Sequence, residues 1–370
     1  METVDYLIIG SGLTGAVIAR MLNDYGREVL ILESRNHFGG NVYDYDHPSG
    51  VRVHAYGPHY FRSKSDEIWN FVNRFSEFYN YEARIKSLVD NKIEDWPINL
   101  SYIKRLKSED FIPHFKGTAS NFEETCLSKM PVNLYIKFIK GYTQKQWGVN
   151  PKLLHTNLAR RFQIRKNYEN RLTPKHKHQG LPKRGYKYLI ENLLKDIPKR
   201  LNYKYDSNSP KIHYKKKLIY TGPIDEYFRY KFGRLRYRGQ IRETIYLPKT
   251  SFFQEYPQIN NPSLEDGSFI RTTEWKHLMS INELAAIKGT VITKEYPFSP
   301  INPNNFEYPF PDIINFNLYK KYRSLASEFK DVIICGRLGE YRYYDMDQAI
   351  KRAMKIAKGI FENHHSNRDA

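Results

Sequence analysis

Between Asp5 and Glu33 the apolar spacing changes character twice. Tyr6-Leu-Ile-Ile-Gly10 is a continuous apolar run of strand length, and from Ala16 to Tyr25 the apolar residues recur at helical intervals. Glu28-Val-Leu-Ile-Leu-Glu33 is a second run of strand length, and Gly10 to Gly15 form the turn before the helix. From about Asp66 to Lys195 the pattern becomes largely helical, with segments at Asp66 to Phe78 and Asn133 to Lys140, punctuated by Pro97, Pro113, Pro131 and Pro151. Leu218-Ile-Tyr-Thr-Gly222 is a short strand ending in a turn. Residues 230–300 are β-rich, including Glu243 to Leu247 and Gly289 to Thr293. Val332 to Gly336 reads as a buried strand, and Met346 to Glu362 as a closing helix. A strand and helix so far from the first unit predict one nucleotide-binding domain assembled from both chain ends, with a helical insert and a sheet insert between.

At 370 residues the chain is long enough for two or three packed units, and 40% hydrophobic with 27% charged residues is a globular composition. No apolar run approaches the roughly 20 residues that span a bilayer. The first strand run is short and follows Glu2 and Asp5, unlike a signal peptide, so the cytoplasm is the expected compartment. Cys126 and Cys335 are too far apart in sequence for a metal or redox motif, and Cys335 reads as a small core residue. A net charge of +19 suits nucleic acid, an anionic membrane surface or a polyanionic small substrate. The lysines and arginines are spread over the whole chain, which favours the small substrate over a nucleic-acid stripe.

Gly10-Ser-Gly12-Leu-Thr-Gly15 sits where a strand gives way to a helix. The first glycine permits the tight turn, the second lets backbone approach a pyrophosphate, and the third allows close helix–strand packing. Glu33, 18 residues after Gly15 at the end of the second strand, can accept from ribose hydroxyls. FAD is favoured over NAD by Arg35-Asn-His-Phe-Gly39-Gly40-Asn41, a basic residue and glycine pair just past Glu33, and by Gly336-Arg337 after the Cys335 strand. These mark a dinucleotide site with Gly10, Gly12, Gly15, Glu33, Arg35, Gly40, Asn41, Gly336 and Arg337 as cofactor contacts. The same motifs also serve flavin oxidoreductases of the amine-oxidase type, and the charge leaves room for a non-catalytic flavin or nucleic-acid binder.

Six further segments, in order along the chain, resemble the UDP-galactopyranose mutase family. They are Tyr56-Gly-Pro-His-Tyr-Phe61, Gly141-Tyr-Thr-Gln-Lys-Gln-Trp-Gly148, Gln179-Gly-Leu-Pro182, Ile219-Tyr-Thr-Gly-Pro-Ile-Asp225, Thr293-Lys-Glu-Tyr-Pro297 and Gly336-Arg-Leu-Gly-Glu-Tyr-Arg-Tyr-Tyr-Asp-Met346. The resemblance implies an α/β fold: a discontinuous Rossmann-like FAD-binding domain (1–75, 190–235 and 326–370), a helical-bundle insert with a mobile substrate loop (76–189), and a twisted antiparallel sheet insert (236–325). It further implies a homodimer and a non-redox interconversion of pyranose and furanose nucleotide-diphosphate sugars, with N5 of reduced FAD as the nucleophile. Arg165 and Arg271 are then the cations that hold the diphosphate, a role suited to guanidinium groups. His59 lies by the flavin with Arg62. Phe138, Tyr142, Thr143, Trp147, His178, Asn261, Tyr308, Tyr343 and Asp345 contact substrate. Thr14, Ser34, Tyr344, Asp345 and Met346 complete the cofactor set.

The chain departs from the family pattern on the sugar side. Arg62 stands where the family has a second histidine, and His178 where it has a tyrosine. Ala83-Arg-Ile-Lys86 replaces an Asn-Ser-Pro stretch, Asp95-Trp96 replaces small apolar residues, and Arg105 replaces a glutamine. A pocket built to hydrogen-bond a hydroxyl discriminates against analogues that lack it. The resemblance makes UDP-galactopyranose the default substrate, and these departures set a deoxysugar on another nucleotide, dTDP-fucose or a CDP-dideoxyhexose, against it as a competitor.

Overall fold

The computed structural model describes residues 2–106, 113–208 and 212–365. Five parallel strands form one sheet, ordered Lys199–Arg200, Val29–Leu32, Glu2–Ile9, Ile212–Tyr220 and Val332–Ile334. Both faces of this sheet are covered, which explains its continuous apolar runs. Tyr6, Ile8, Val29, Ile31 and Ile219 point into one core, which the helices Leu13–Asp24 and Met346–His365 share. Val4, Leu7, Ile9, Leu30, Leu32 and Leu218 point into a second core on the other face. Val332–Ile334 forms the sheet's edge and is half-buried, against the fully buried strand expected there, although Cys335 is buried.

The second sheet has seven strands, ordered Tyr308–Pro309, Tyr237–Leu247, Thr290–Phe298, Arg271–Glu274, Gln258–Asn260, Ile85–Val89 and Lys92–Trp96. Two features correct the sequence reading. Its last two strands come from the stretch expected to be helical, and Gln258–Asn260 pairs with Ile85–Val89 in parallel, so the sheet is mixed. The hairpin between those last two strands turns at Asp90 and Asn91, with φ of 51° and 58°. Two consecutive left-handed residues form the tight turn that strand twist favours, and Asp and Asn tolerate them best after glycine. A third sheet joins Phe61–Ser63, His178–Pro182 and Phe78–Asn80, so the helix that starts at Asp66 stops at Asn73. The helical part is smaller than expected. It centres on Phe122–Leu127 and on the run Val132–Trp147, which passes through a π-turn at Ile136–Lys140, around a core of Phe122, Cys126, Leu134, Tyr135 and Phe138.

Asp225 is the fold's clearest pH-sensitive joint. It is buried, its Oδ2 accepts from the Leu235 N–H at 2.9 Å, and its Oδ1 has no partner. Burial pushes its pKa from 3.8 up to about 6, against the opposing pull of backbone N–H groups. Because the folded state holds this proton more tightly than the unfolded chain, stability falls as pH rises from about 4 to about 6, by about 2–3 kcal/mol. Urea unfolding across that range is expected to show the loss, and Asp225→Asn to flatten it.

Candidate active site

A cavity of about 310 Å³ opens where the strands Glu2–Ile9, Val29–Leu32, Ile212–Tyr220 and Val332–Ile334 end. Ligands of open parallel sheets bind at such carboxyl edges. Gly12 caps the helix Leu13–Asp24 with no side chain, so first-turn N–H groups face the cavity unclaimed. Gly12 and Gly40 approach so closely that a Cβ on Gly40 would stand 2.9 Å from the Gly12 Cα. Glu33 is fixed by Ser11, whose N–H and Oγ donate to its Oε2 at 2.9 and 2.6 Å, and by the Arg35 N–H, which donates to Oε1 at 3.0 Å. Arg35 lies over the Tyr56 ring and donates to the Asn304 carbonyl, while Ser34 bonds Asn304 Oδ1 at 2.8 Å. The loop Asn302–Asn304 thus closes over this wall, a contribution that no sequence motif announced.

A second cavity of about 120 Å³ adjoins the first, and Asn41, His59, Arg337 and Met346 line both. Its other walls include Tyr56, Tyr60, Arg62, Arg271, Glu307, Tyr308, Tyr343 and Asp345. Two buried ion pairs stand behind it. Arg271 holds Glu295 at 2.6 Å, and Arg242 holds Glu307 through two bonds of 2.8 Å. Burial works against the charge on Arg271, but Glu295, with Tyr142 and Tyr308, more than offsets it and raises the guanidinium's pKa. Burial likewise opposes ionisation of Glu295, and Arg271 and Arg242 pull its pKa below the usual carboxylate value. Nε of Arg271 is buried without a partner. Burial, helped by Arg337, Arg242 and Arg271, lowers the His59 pKa to about 4, so its ring is neutral at pH 7. Its Nδ1 lies 2.7 Å from the Gly57 carbonyl, which makes Nδ1 the donor and leaves Nε2 an acceptor. Burial raises the pKa of Tyr308, which stacks on Tyr343 with ring centroids 5.8 Å apart.

Of the residues singled out for chemistry, His59, Arg62, Arg271, Tyr308, Tyr343 and Asp345 meet at the smaller cavity. Asp345, expected on both cofactor and substrate, belongs to the smaller cavity, where it pairs with Arg62 at 3.1 Å. Gly10, Gly12, Thr14, Glu33, Ser34, Arg35, Gly40, Asn41, Gly336, Arg337, Tyr344 and Met346 line the larger one. Gly15 is packed just behind it, against the Gly10 carbonyl. Tyr142 interacts electrostatically with Arg271, and Trp147 reaches the site through Tyr308, 6.4 Å between rings.

Five residues lie elsewhere. Arg165 donates to the carbonyls of Glu169, Arg171 and Leu172 in its own loop at 3.0, 2.5 and 3.1 Å, which satisfies the guanidinium away from the cavity. His178 bonds Asp66 at 2.6 Å and stacks on Trp69. Phe138 is a core residue packed on Tyr102 and Trp96. Thr143 is buried on its helix, and Asn261 is buried with its Nδ2 on the Asp266 carbonyl. Arg105 pairs with Glu94, and Asp95 with Lys86. The sequence reading missed Arg242, Glu295 and Glu307. Glu295 lies within the quoted segment Thr293 to Pro297, the one signal that could have raised it.

Comparison with known proteins gives concordant matches. The UDP-galactopyranose mutase family model matches residues 137–343, and an NAD(P)-binding Rossmann-like domain model matches residues 8–75. A probable UDP-galactopyranose mutase of Klebsiella pneumoniae is 34% identical over 376 residues, covering 96% of this chain and 94% of that protein. A dTDP-fucopyranose mutase of Escherichia coli is 33% identical, covering 96% of this chain and 98% of that protein. The fold matches a crystal structure of reduced UDP-galactopyranose mutase with a TM-score of 0.79 at 16% identity, covering 98% of this chain and 94% of the other.

Proposed function

The chain belongs to the UDP-galactopyranose mutase family, and from that premise we propose that it is an isomerase interconverting pyranose and furanose forms of a nucleotide-diphosphate sugar. UDP-galactopyranose is the default substrate. The junction of the two cavities carries this reading: a dinucleotide in the larger groove would meet the arginine-lined pocket at His59, Asn41, Arg337 and Met346. The groove fits FAD. Its uncapped helix start suits a pyrophosphate, its Gly12–Gly40 contact leaves room for close backbone approach, and Nη1 of Arg35 is buried with no partner. Bound and reduced, FAD would supply the electron pair that takes the sugar's anomeric carbon from its diphosphate.

The chain's own residues then hold the departing group. Arg271, kept charged by Glu295, lines the cavity in which the diphosphate would sit. Tyr308 stays protonated and donates its hydroxyl. Arg62, Arg271 and Arg337 border the smaller cavity against Asp345 and Glu307, so a diphosphate leaves into fixed positive charge. His59 is neutral and adds no charge there. Arg165, turned into its own loop, has no part in this reading.

A deoxysugar nucleotide is the second reading, favoured by the near-equal identity to the dTDP-fucopyranose mutase and by the Arg62–Asp345 pair in the cavity wall. Both readings are tested by giving dithionite-reduced and oxidised protein UDP-galactose and dTDP-fucose, with a CDP-dideoxyhexose alongside, and separating products by ring size. Ring interconversion by the reduced form alone is expected. No furanose from either sugar or from the CDP-dideoxyhexose, or hydrogen peroxide formed in proportion to substrate, would refute the mutase assignment. Arg62→His is expected to change the preference between the two sugars by about tenfold, a scale set by one polar contact. An unchanged ratio would remove Arg62 as a specificity residue.

A further inference from the structure

The helix Ile313–Ala326 has an inner side that serves the fold and an outer side that nothing in the fold requires. Leu318, Tyr319, Tyr322 and Ala326 pack into the core beneath it. The outer side opens with Ile313, Ile314 and Phe316, which are 54%, 74% and 46% exposed, and continues with the exposed Lys320, Lys321 and Arg323. Leu153, 66% exposed, belongs to the turn that borders the apolar end, since, two residues on, the His155 N–H donates to the Pro311 carbonyl and the His155 ring lies 6.5 Å from that of Phe316. The ammonium of Lys320 sits 4.6 Å over the Phe316 ring. From Ile313 to Ser327 there is no carboxylate, and Asp312 is turned inward to accept from the Asn315 N–H at 2.7 Å.

A solvent-facing helix side normally carries polar residues, and large exposed apolar side chains grouped beside cations mark a contact surface. We infer that this face docks on an anionic lipid bilayer. Ile313, Ile314, Phe316 and Leu153 enter the headgroup boundary, while Lys320, Lys321 and Arg323 meet lipid phosphates. A nucleic acid would leave the isoleucines unused. A second copy packed by two-fold symmetry on the same face would set its cations against themselves. The chain's +19 charge draws it to the same surface from a distance. This is peripheral contact, since no helix among the described residues is long and apolar enough to cross a membrane.

The test is sedimentation of the full chain, without substrate, with vesicles of phosphatidylcholine alone or mixed with phosphatidylglycerol. The mixed vesicles are expected to bind it at least about tenfold more strongly, with the difference lost in high salt. Ile314→Asp, and separately Lys320→Glu with Lys321→Glu, are each expected to weaken that binding about tenfold while the melting temperature stays unchanged. Leu153→Ser probes the same face from another element should a helix variant fail to fold. Equal binding to both vesicle types, binding that survives all these changes, or a concentration-dependent dimer dissolved by Ile314→Asp would each overturn the inference.

Discussion

Arg271→Ala is expected to lower turnover by about two to three orders of magnitude while the glycine-turn groove still retains its dinucleotide. Truncating one partner of a buried, hydrogen-bonded charge pair costs about 2–5 kcal/mol, which sets that scale. Two effects are superimposed, and the structure separates them. The first is loss of the cation proposed to hold the diphosphate. The second is that Glu295, fully buried, keeps Arg242 as its one remaining ion-pair partner among the described residues, at 3.8 Å. An uncompensated buried carboxylate destabilises by about 3–5 kcal/mol, so a lowered melting temperature is expected as well. The double variant Arg271→Ala with Glu295→Gln removes the orphaned charge, and Arg242 still has Glu307. Recovery of the melting temperature without recovery of turnover would assign the catalytic loss to the missing guanidinium. Near-normal turnover in the double variant would place the diphosphate contact elsewhere.

The same pair explains why part of the site was hidden in the sequence. The strand runs at Tyr6 and Val29 were legible because a parallel sheet covered on both faces leaves no polar alternation, and Gly10 to Gly15 could be read because a turn of that shape needs glycines. Arg242, Glu295 and Glu307 had no such mark. A buried charge looks the same in sequence as a solvated one, and only the fold reveals that Arg271 meets Glu295 from 24 residues away, or Arg242 meets Glu307 from 65. Arg165 is the opposite case. The family resemblance puts it at the diphosphate, but three backbone carbonyls of its own loop compete for the guanidinium, and sequence does not register that competition. The family resemblance puts Phe138 at the substrate, while its helical spacing fits core packing as well, and it packs into the core. The strands at Ile85 and Lys92 are hidden in the sequence because each is only five residues long, too short for periodicity to separate strand from helix, and the Asp90–Asn91 turn between them carries no glycine to mark it.

Gly40→Ala is the second large expected effect, and it tests the groove independently of the arginines. Gly40 has a φ of 59°, and a methyl group there would stand 2.9 Å from the Gly12 Cα and 3.4 Å from the Gly12 N, both backbone atoms that cannot swing aside. The bridge between Gly12 and Gly39 holds these two turns together, so the new methyl must push one groove wall off the other. Gly26 supplies the control. Its φ is 68°, yet a Cβ there would meet nothing within 4 Å, so Gly26→Ala carries only the left-handed backbone cost of about 1–2 kcal/mol. The readouts are flavin absorbance per protein after desalting and the melting temperature. Gly26→Ala is expected to melt slightly lower and keep its flavin. Gly40→Ala is expected to melt lower still and to retain flavin at least about tenfold more weakly, since displacement of the backbone that should line a pyrophosphate removes several contacts together. If the two variants retain flavin equally well, the Gly12–Gly40 contact is packing alone, and the proposed cofactor must bind without it.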